Sequence, residues 1–130
     1  MSGKIVHISA QRTPTYDFAS CTFHFLVSVE ESGGSSCTME VGVPLGEGPG
    51  MHVHEAEEEQ FYVVEGHVTF TVGEHTFAAR PGDVIHIPRG TQHGFKNTGA
   101  IPAKLIAIFA PGGADQVFLQ DATLIAEPEE

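Results

Sequence analysis

The sequence predicts an all-β protein, a barrel or sandwich built as a single domain over residues 1–130. Apolar and polar side chains alternate with a period of two in one segment after another. Turns that contain glycine or proline separate these segments at short intervals, as in antiparallel barrels and sandwiches. No long segment has the 3.6-residue period of an amphipathic helix. The length of 130 residues is enough for one domain with its own core.

The first clear alternation covers residues 21–30, where Cys21, Phe23 and Phe25 begin a run of apolar residues at every second position. Such a run is typical of a strand with one buried face. A serine- and glycine-rich turn then ends it at residues 32–36. Further segments with strand character cover residues 39–43, 61–64, 68–72, 75–79, 83–87, 93–96 and 105–110. Residues 4–8 are an additional candidate strand at the N-terminus.

Local sequence also predicts how some strands are connected. Glu65 and Gly66 are predicted to form the tip of a hairpin, and Gly73 marks a second tight turn. The run 105–110 is apolar throughout, which predicts a strand buried on both faces. Residues 114–125 fit one short helix or an extended arm, and residues 126–130 are predicted to fray.

Charge and composition disfavour several classes of partner. The formal net charge is −11, with six basic residues among seventeen acidic ones, which disfavours nucleic acids and anionic membranes. No segment reaches the roughly 20 apolar residues of a membrane span, and the N-terminus lacks a signal-peptide pattern. We therefore expect a cytoplasmic protein.

Cys21 and Cys37 form no CxxC pair and are predicted to be free thiols.

A short histidine motif, His52-Val53-His54, is the main candidate for chemistry. On a strand, residues two apart share a face, so both imidazoles can reach one ion. Glu59 follows His54 after a stretch long enough for a bend, so its carboxylate can reach the same ion. His93 is far away in sequence and must be brought there by the fold. Nitrogen and oxygen donors of this kind suit Fe, Mn, Co, Ni, Cu or Zn. The alternative is a solvated pair that arose by chance, since the chain has eight histidines.

Two longer patterns give these residues a context. The pattern G-x5-H-x-H-x(3,4)-E-x6-G is filled within residues 46–66, and G-x5-P-x-G-x2-H-x3-N within residues 82–97. The fixed positions of the second pattern are Gly82, Pro88, Gly90, His93 and Asn97. These are the two motifs of the cupin superfamily, which the chain resembles. The run 60–66 and the later Pro111-Gly112-Gly113 are similar to small single-domain cupins of the quercetin dioxygenase-like group.

The resemblance implies a cupin β-barrel, or double-stranded β-helix (jelly roll), that holds one divalent transition metal ion. By position, the ligands are His52, His54, Glu59 and His93. Glu58 competes with Glu59 because the motif allows either spacing, and the distance to Gly66 favours Glu59. Asn97 is expected to tie a turn or the barrel rim. Five histidines match no ligand position: His7, His24, His67, His75 and His86.

Alternation along the strands places Phe61 and Val63 on the face of Glu59, and Phe95 on the face of His93. These three residues predict an apolar substrate pocket beside the metal. The resemblance then implies a metal-dependent dioxygenase for a small aromatic or enol-bearing compound, with Glu59 also acting as a base. A non-enzymatic binding or sensor cupin is the alternative, followed by a cyclase or isomerase. We also expect a homodimer in which residues 4–8 protect a sheet edge.

Overall fold

The computed structural model describes residues 2–9, 13–113 and 122–127, and this part of the chain is all-β. Its strands form two antiparallel sheets, in agreement with the predicted fold class. The strands are β1 (Thr15–Phe18), β2 (Cys21–Val27), β3 (Cys37–Val43), β4 (Glu58–Glu65), β5 (Val68–Val72), β6 (His75–Ala79), β7 (Val84–Ile87), β8 (His93–Asn97), β9 (Ala103–Ala110) and β10 (Thr123–Ala126).

The larger sheet has seven strands in the order β10-β1-β2-β3-β9-β4-β7, and the smaller has the order β6-β5-β8. The core lies between them, where rings from both sheets meet. Phe61 of β4 lies 5.3 Å from both Phe70 of β5 and Phe95 of β8, measured between ring centroids. Contacts between aromatic rings at this distance contribute stability beyond the burial of their area. This interior apolar layer reaches the metal-binding residues described below.

Strand β9 corrects one sequence prediction. It lies in the interior of the larger sheet, between β3 and β4, but its side chains alternate between buried and more exposed positions. Leu105 and Phe109 are fully buried, whereas Ile108 is 37% exposed. The prediction of burial on both faces was wrong, because the second sheet covers only one face of the first.

The link at Gly66 corrects a second prediction. The strands before and after it, β4 and β5, belong to different sheets, so Glu65 and Gly66 form a corner rather than a hairpin tip. Gly66 has a φ of 85°, and a Cβ atom there would lie 2.8 Å from the Cα of Ala103. The turn at Gly73 does join paired strands, β5 and β6, as predicted.

The ends of the chain differ most from the sequence predictions. Residues 4–8 form no strand, although the Lys4 amide donates to the Glu31 carbonyl at 2.8 Å. Strands β1 and β10 were not predicted separately; they pair with each other, so the tail is extended at Thr123–Ala126. Ala126 is therefore paired rather than frayed. Residues 114–121 and 128–130, where a helix or fraying was considered, lie outside the described residues.

The segment 46–52 extends the smaller sheet without being a regular strand. Its backbone is hydrogen-bonded to β8: Asn97 donates to Glu47, Phe95 donates to Pro49, and His52 and His93 exchange two bonds of 2.8 Å. Close approach requires Gly94, since a Cβ there would lie 3.1 Å from the carbonyl carbon of Gly50. This pairing carries the segment across the open edge of β8.

Asn97 fastens the barrel rim, as the sequence suggested. Its side-chain amide donates to the carbonyls of Val43 and Ile101, both at 2.9 Å, and its oxygen accepts from the Gly99 amide. The residue is 1% exposed, so water cannot replace these partners. No helix in the described part of the chain is long and apolar enough to cross a bilayer.

The first prediction concerns this amide. We expect Asn97→Ala to lower the free energy of unfolding by about 2–3 kcal/mol, because it leaves buried backbone groups without partners. Urea unfolding measures the change. Thr98→Ala is the control, since Thr98 is exposed and should change stability by no more than about 0.5 kcal/mol. Equal effects of the two substitutions would contradict this role of Asn97.

Candidate metal centre

A single backbone bridge joins the histidine motif to strand β8. His52 pairs with His93, whereas Val53 and His54 lie outside any strand. The expectation that the motif lies on a strand was therefore wrong, because the chain bends away immediately after His52. Both imidazoles still point inward and are half-buried, and Val53 is exposed between them. The ring centroids of His52 and His93 lie 4.3 Å apart, and those of His52 and His54 lie 5.1 Å apart.

Glu59 completes the cluster from the opposite sheet. It is the second residue of β4, is 3% exposed and pairs with Ile87 and Phe109 of the flanking strands. Its Oε1 lies 2.9 Å from the Nε2 of His93 and 3.9 Å from the Nε2 of His54. Neighbouring residues on a strand face opposite ways, so Glu58 points away from the cluster.

The donor atoms of His52, His54, Glu59 and His93 lie within 4.8 Å of one another. Three imidazole nitrogens and one carboxylate oxygen are a donor set that fits a divalent first-row transition metal. The structure thus brings together all four residues that the sequence proposed as ligands. The other five histidines are not part of this group. His24, for example, has its Nδ1 3.2 Å from the Thr15 hydroxyl.

Two backbone carbonyls orient the imidazoles. The Nδ1–H of His52 donates to the carbonyl of Gly50 at 2.7 Å, and that of His93 donates to the carbonyl of Thr91 at 2.9 Å. A carbonyl can only accept, so each Nδ1 carries the hydrogen and each Nε2 faces the centre of the cluster. Such outer hydrogen bonds fix the tautomer and the ring orientation of metal-binding histidines.

Burial and contacts within the cluster shift the pKa values of its members in different directions. Burial, assisted by the neighbouring His52 and His93, lowers the pKa of His54 to about 4. Burial alone would lower the pKa of His93, but hydrogen bonds to Glu59 and to the Thr91 carbonyl outweigh it and raise that pKa. Burial raises the pKa of Glu59, and the hydrogen bond from His93 offsets part of the effect. His54 is therefore ready to bind a cation at neutral pH, whereas His93 and Glu59 hold a proton between them.

Arg89 fastens the loop between His54 and Glu59. Its Nε donates to the carbonyl of Ala56 at 3.0 Å, and its Nη2 lies 3.4 Å from the carbonyl of Ala110. The sequence gave no sign of this contact, because it joins residues more than 20 positions apart. The side chain thus ties the acidic loop to the end of β9.

An apolar cavity of about 50 Å³ adjoins the cluster, with His52 and Glu59 in its wall. Phe61 and Phe95, two of the three residues that the sequence proposed for a substrate pocket, line it. Val63 does not; it is fully buried two residues farther along β4, where it packs within the core. Sequence reasoning missed the lining residues Phe18, Cys21, Phe23, Met39 and Phe109, which come from other strands.

Cys21 and Cys37 form no disulfide, as predicted, and both side chains are buried. Burial, together with the negative charges of Asp17 and Glu47, raises the pKa of the Cys21 thiol to about 12. A thiol with such a pKa stays protonated at neutral pH and behaves as a small apolar group. It therefore contributes to the apolar character of the cavity wall.

The family model for the cupin domain matches residues 39–109, more than half of the chain. The chain belongs to the cupin family. Its matched region contains both sequence motifs and all four residues of the metal-binding cluster. Membership of the cupin family thus explains why four residues lie together: His52, His54, Glu59 and His93. It identifies neither the metal nor the substrate.

Curated relatives match this cupin over about half of its length. An uncharacterised protein of Methanocaldococcus jannaschii is 35% identical over 72 residues, which cover 55% of this chain and 58% of that protein. A quercetin 2,3-dioxygenase of Bacillus subtilis is 31% identical over 61 residues, 47% of this chain but only 18% of the enzyme. An oxalate-binding protein of Thermotoga maritima is 30% identical over 66 residues, covering 51% of this chain and 54% of that protein.

Solved structures show the same fold at lower identity. A predicted oxalate decarboxylase from Thermotoga maritima superposes with a TM-score of 0.77 at 20% identity, covering 82% of this cupin and 99% of that chain. The polyketide cyclase RemF of Streptomyces resistomycificus gives a TM-score of 0.71 at 20% identity, covering 82% and 79%. Likeness at this level establishes the cupin fold alone.

The second prediction tests the ligands. We expect His52→Ala, His54→Ala and His93→Ala each to lower bound metal well below one ion per chain, because each removes a donor from the cluster. Elemental analysis after loading and desalting measures the stoichiometry. His86→Ala is the matched control, since His86 is exposed and its Nδ1 lies near the Gln60 amide. Full metal content in all three ligand variants would contradict the assignment.

The third prediction concerns pH. Metal must displace the proton shared by His93 and Glu59, and because the pKa of His93 is raised, a growing fraction of the cluster carries that proton as pH falls. Stabilisation by metal should therefore be largest near pH 8 and shrink through the acidic range. At a free metal concentration 100-fold above Kd it amounts to about 2.7 kcal/mol. Melting curves with and without chelator across a pH series measure it, and a shift as large at pH 5 as at pH 8 would argue against histidine ligands.

Proposed function

We propose that this cupin is a metal-dependent dioxygenase that acts on a small organic compound bearing an enol or aromatic hydroxyl group. The observation that carries the proposal is the position of His52 and Glu59 in the wall of an apolar cavity. A metal cluster that only stabilised the fold would need no adjoining cavity. Support from sequence comes from the 31% identity to the quercetin 2,3-dioxygenase, over a segment covering 18% of that enzyme.

The proposed ion is held by His52, His54, Glu59 and His93. Bound there, a divalent iron, manganese, nickel, cobalt or copper ion supplies Lewis-acid and redox chemistry toward an oxygen-bearing substrate. The Nδ1 hydrogen bonds of His52 and His93 hold these donors in place before substrate arrives.

Glu59 is the proposed base. Its burial raises its pKa, which brings a carboxylate closer to the range useful for proton transfer near neutral pH. The carboxylate accepts the hydroxyl proton of the substrate on an oxygen atom, and His93 orients it through the 2.9 Å contact. The phenylalanine rings of the cavity exclude water from this transfer. These roles assign proton transfer to Glu59 and its positioning to His93.

Binding without turnover is the second candidate function. It is supported by the 30% identity over 66 residues to the oxalate-binding protein. In that case the same four residues orient a ligand and no product forms. The third candidate, a cyclase or isomerase, is supported by likeness in fold to the polyketide cyclase. Such a reaction consumes no oxygen, so oxygen uptake distinguishes all three candidates when product analysis accompanies it.

The homodimer stays a prediction. Strand β7 forms one edge of the larger sheet, and Tyr62 and Val84, paired across β4 and β7, are 46% and 65% exposed on the outer face. These side chains, rather than residues 4–8, support an interface between two copies. A dimer through this edge would cover backbone groups that otherwise face solvent.

The fourth prediction is aerobic turnover. The chain, loaded in turn with each candidate metal, should consume oxygen with at least one catechol or enol in a compound panel. His52→Ala should abolish uptake, and Glu59→Gln should lower it by about 10²–10⁴-fold, the usual contribution of a general base. His86→Ala should leave it unchanged. Binding of panel compounds without uptake under any metal would contradict the dioxygenase and favour the binding function.

A further inference from the structure

The turn between β7 and β8 contacts two of the proposed ligands directly. The backbone amide of Gly90 donates to the carbonyl of His54 at 2.9 Å. The carbonyl of Thr91, the next residue, accepts the Nδ1–H of His93 at 2.9 Å. Hydrogen bonds of this kind orient metal-binding histidines from outside the coordination sphere. Two adjacent residues of one turn therefore help to fix the separation of the two histidines.

The preceding residue of this turn, Arg89, reaches the loop that leads into β4. Its Nε donates to the carbonyl of Ala56 at 3.0 Å, and its Nη2 donates to the carbonyl of Ala110 at 3.4 Å. Residues 53–57 belong to no strand, so strand pairing does not fix them. Ala110 ends β9, which is paired with β4. The guanidinium group therefore extends the attachment between these strands into the loop ahead of β4.

Directed hydrogen bonding, rather than neutralisation of charge, explains this contact. Arg89 is exposed and lies against a loop that contains Glu55 and Glu57, yet none of the ion pairs in the described part of the chain involves it. Both of its acceptors are backbone carbonyls, which a planar guanidinium can serve at the same time. By charge alone, a cation near the cluster would oppose the binding of a metal ion.

We infer that Arg89 is a positioning residue of the metal centre, because it holds the loop between His54 and Glu59 in place before an ion binds. His54 depends on this contact most, since it lies outside any strand, whereas Glu59 is held within β4. Ligands that are ordered in advance lose less conformational freedom on binding, so the affinity for metal is higher. The inference deepens the proposed function and rests on the metal site assigned there.

Titration of the full chain with cobalt(II), in competition with a chelator of known affinity, measures this role. Arg89→Met keeps a side chain of similar length and removes both donors. We expect the dissociation constant for cobalt(II) to rise about tenfold or more, the usual effect of losing an outer contact of a metal ligand. Arg80→Met is the matched control, since Arg80 is also exposed, lies in the turn between β6 and β7 and loses the same charge. It should bind cobalt(II) as tightly as the unaltered chain.

The direction of the change distinguishes positioning from charge. Removal of a positive charge near a cation site should tighten metal binding if Coulomb's law alone acts. Unchanged or tighter binding by Arg89→Met would therefore overturn the inference. Arg89→Lys keeps the charge, but its single nitrogen cannot occupy the positions of both Nε and Nη2. We expect it to bind more weakly than the unaltered chain, and full affinity in this variant would count against positioning by hydrogen bonds.

A double-mutant cycle identifies the ligand through which Arg89 acts. In His54→Ala the ring to be positioned is missing, so adding Arg89→Met should weaken cobalt(II) binding much less than it does in the unaltered chain. In His52→Ala the full effect of Arg89→Met should remain, because the backbone pairing with His93 holds residue 52. Equal losses in both backgrounds would indicate general loosening of the site and contradict the assignment to His54.

Melting curves separate this role from the stability of the fold. We expect Arg89→Met to melt close to the unaltered chain when chelator is present, since Arg89 is exposed, and to melt lower when both are loaded with metal. A fall that is as large without metal as with it would assign Arg89 to the fold and overturn the inference. Neither titration nor melting needs turnover, so failure of the proposed dioxygenase reaction would leave the role of Arg89 intact.

Discussion

The backbone pairing between His52 and His93 is the constraint on which the candidate metal centre depends. Two hydrogen bonds of 2.8 Å join these residues, so the short histidine motif and the distant histidine share one register. The pairing exists only because segment 46–52 lies directly against β8, a distance that Gly94 permits. Glu59 then arrives from the opposite sheet, which means that the cluster also connects the two layers of the fold. Backbone hydrogen bonds therefore bring the two histidines together, and side-chain hydrogen bonds then orient their rings.

Electrostatics inside the cluster follow from this packing. Glu59 is buried among apolar strands, a position that would be costly for an isolated carboxylate. His93 compensates with its 2.9 Å contact, while a backbone carbonyl occupies its other nitrogen. Burial, together with the neighbouring His52 and His93, lowers the pKa of His54 to about 4, and the Glu59 Oε1 lies 3.9 Å from its Nε2. The same fold therefore produces one histidine that is neutral and another that shares a proton, although both belong to the same proposed ligand set.

The contrast between surface and interior gives the site its chemical character. Acidic residues dominate the chain as a whole, with seventeen against six basic ones, yet the cavity is lined mainly by phenylalanine and aliphatic side chains. Polar groups are concentrated at one point, where His52 and Glu59 meet the cavity. Such a combination of an apolar pocket and a few directed polar groups is common in small-molecule sites. In the proposed function, the apolar cavity acts on which substrate binds, and the metal centre acts on the reaction.

The sequence by itself determined the fold class, the four candidate ligands and the role of Asn97. Alternation with a period of two and fixed motif spacings are local properties, and they survive in the structure because one face of each strand must be buried. Local patterns could not distinguish a hairpin from a corner at Gly66, nor reveal that Thr15–Phe18 and Thr123–Ala126 pair. They also misplaced Val63, since alternation gives the face of a residue but not its depth along the strand. Tertiary structure alone decided which rings surround the cavity, because those side chains come from strands far apart in the chain and meet only when the two sheets pack.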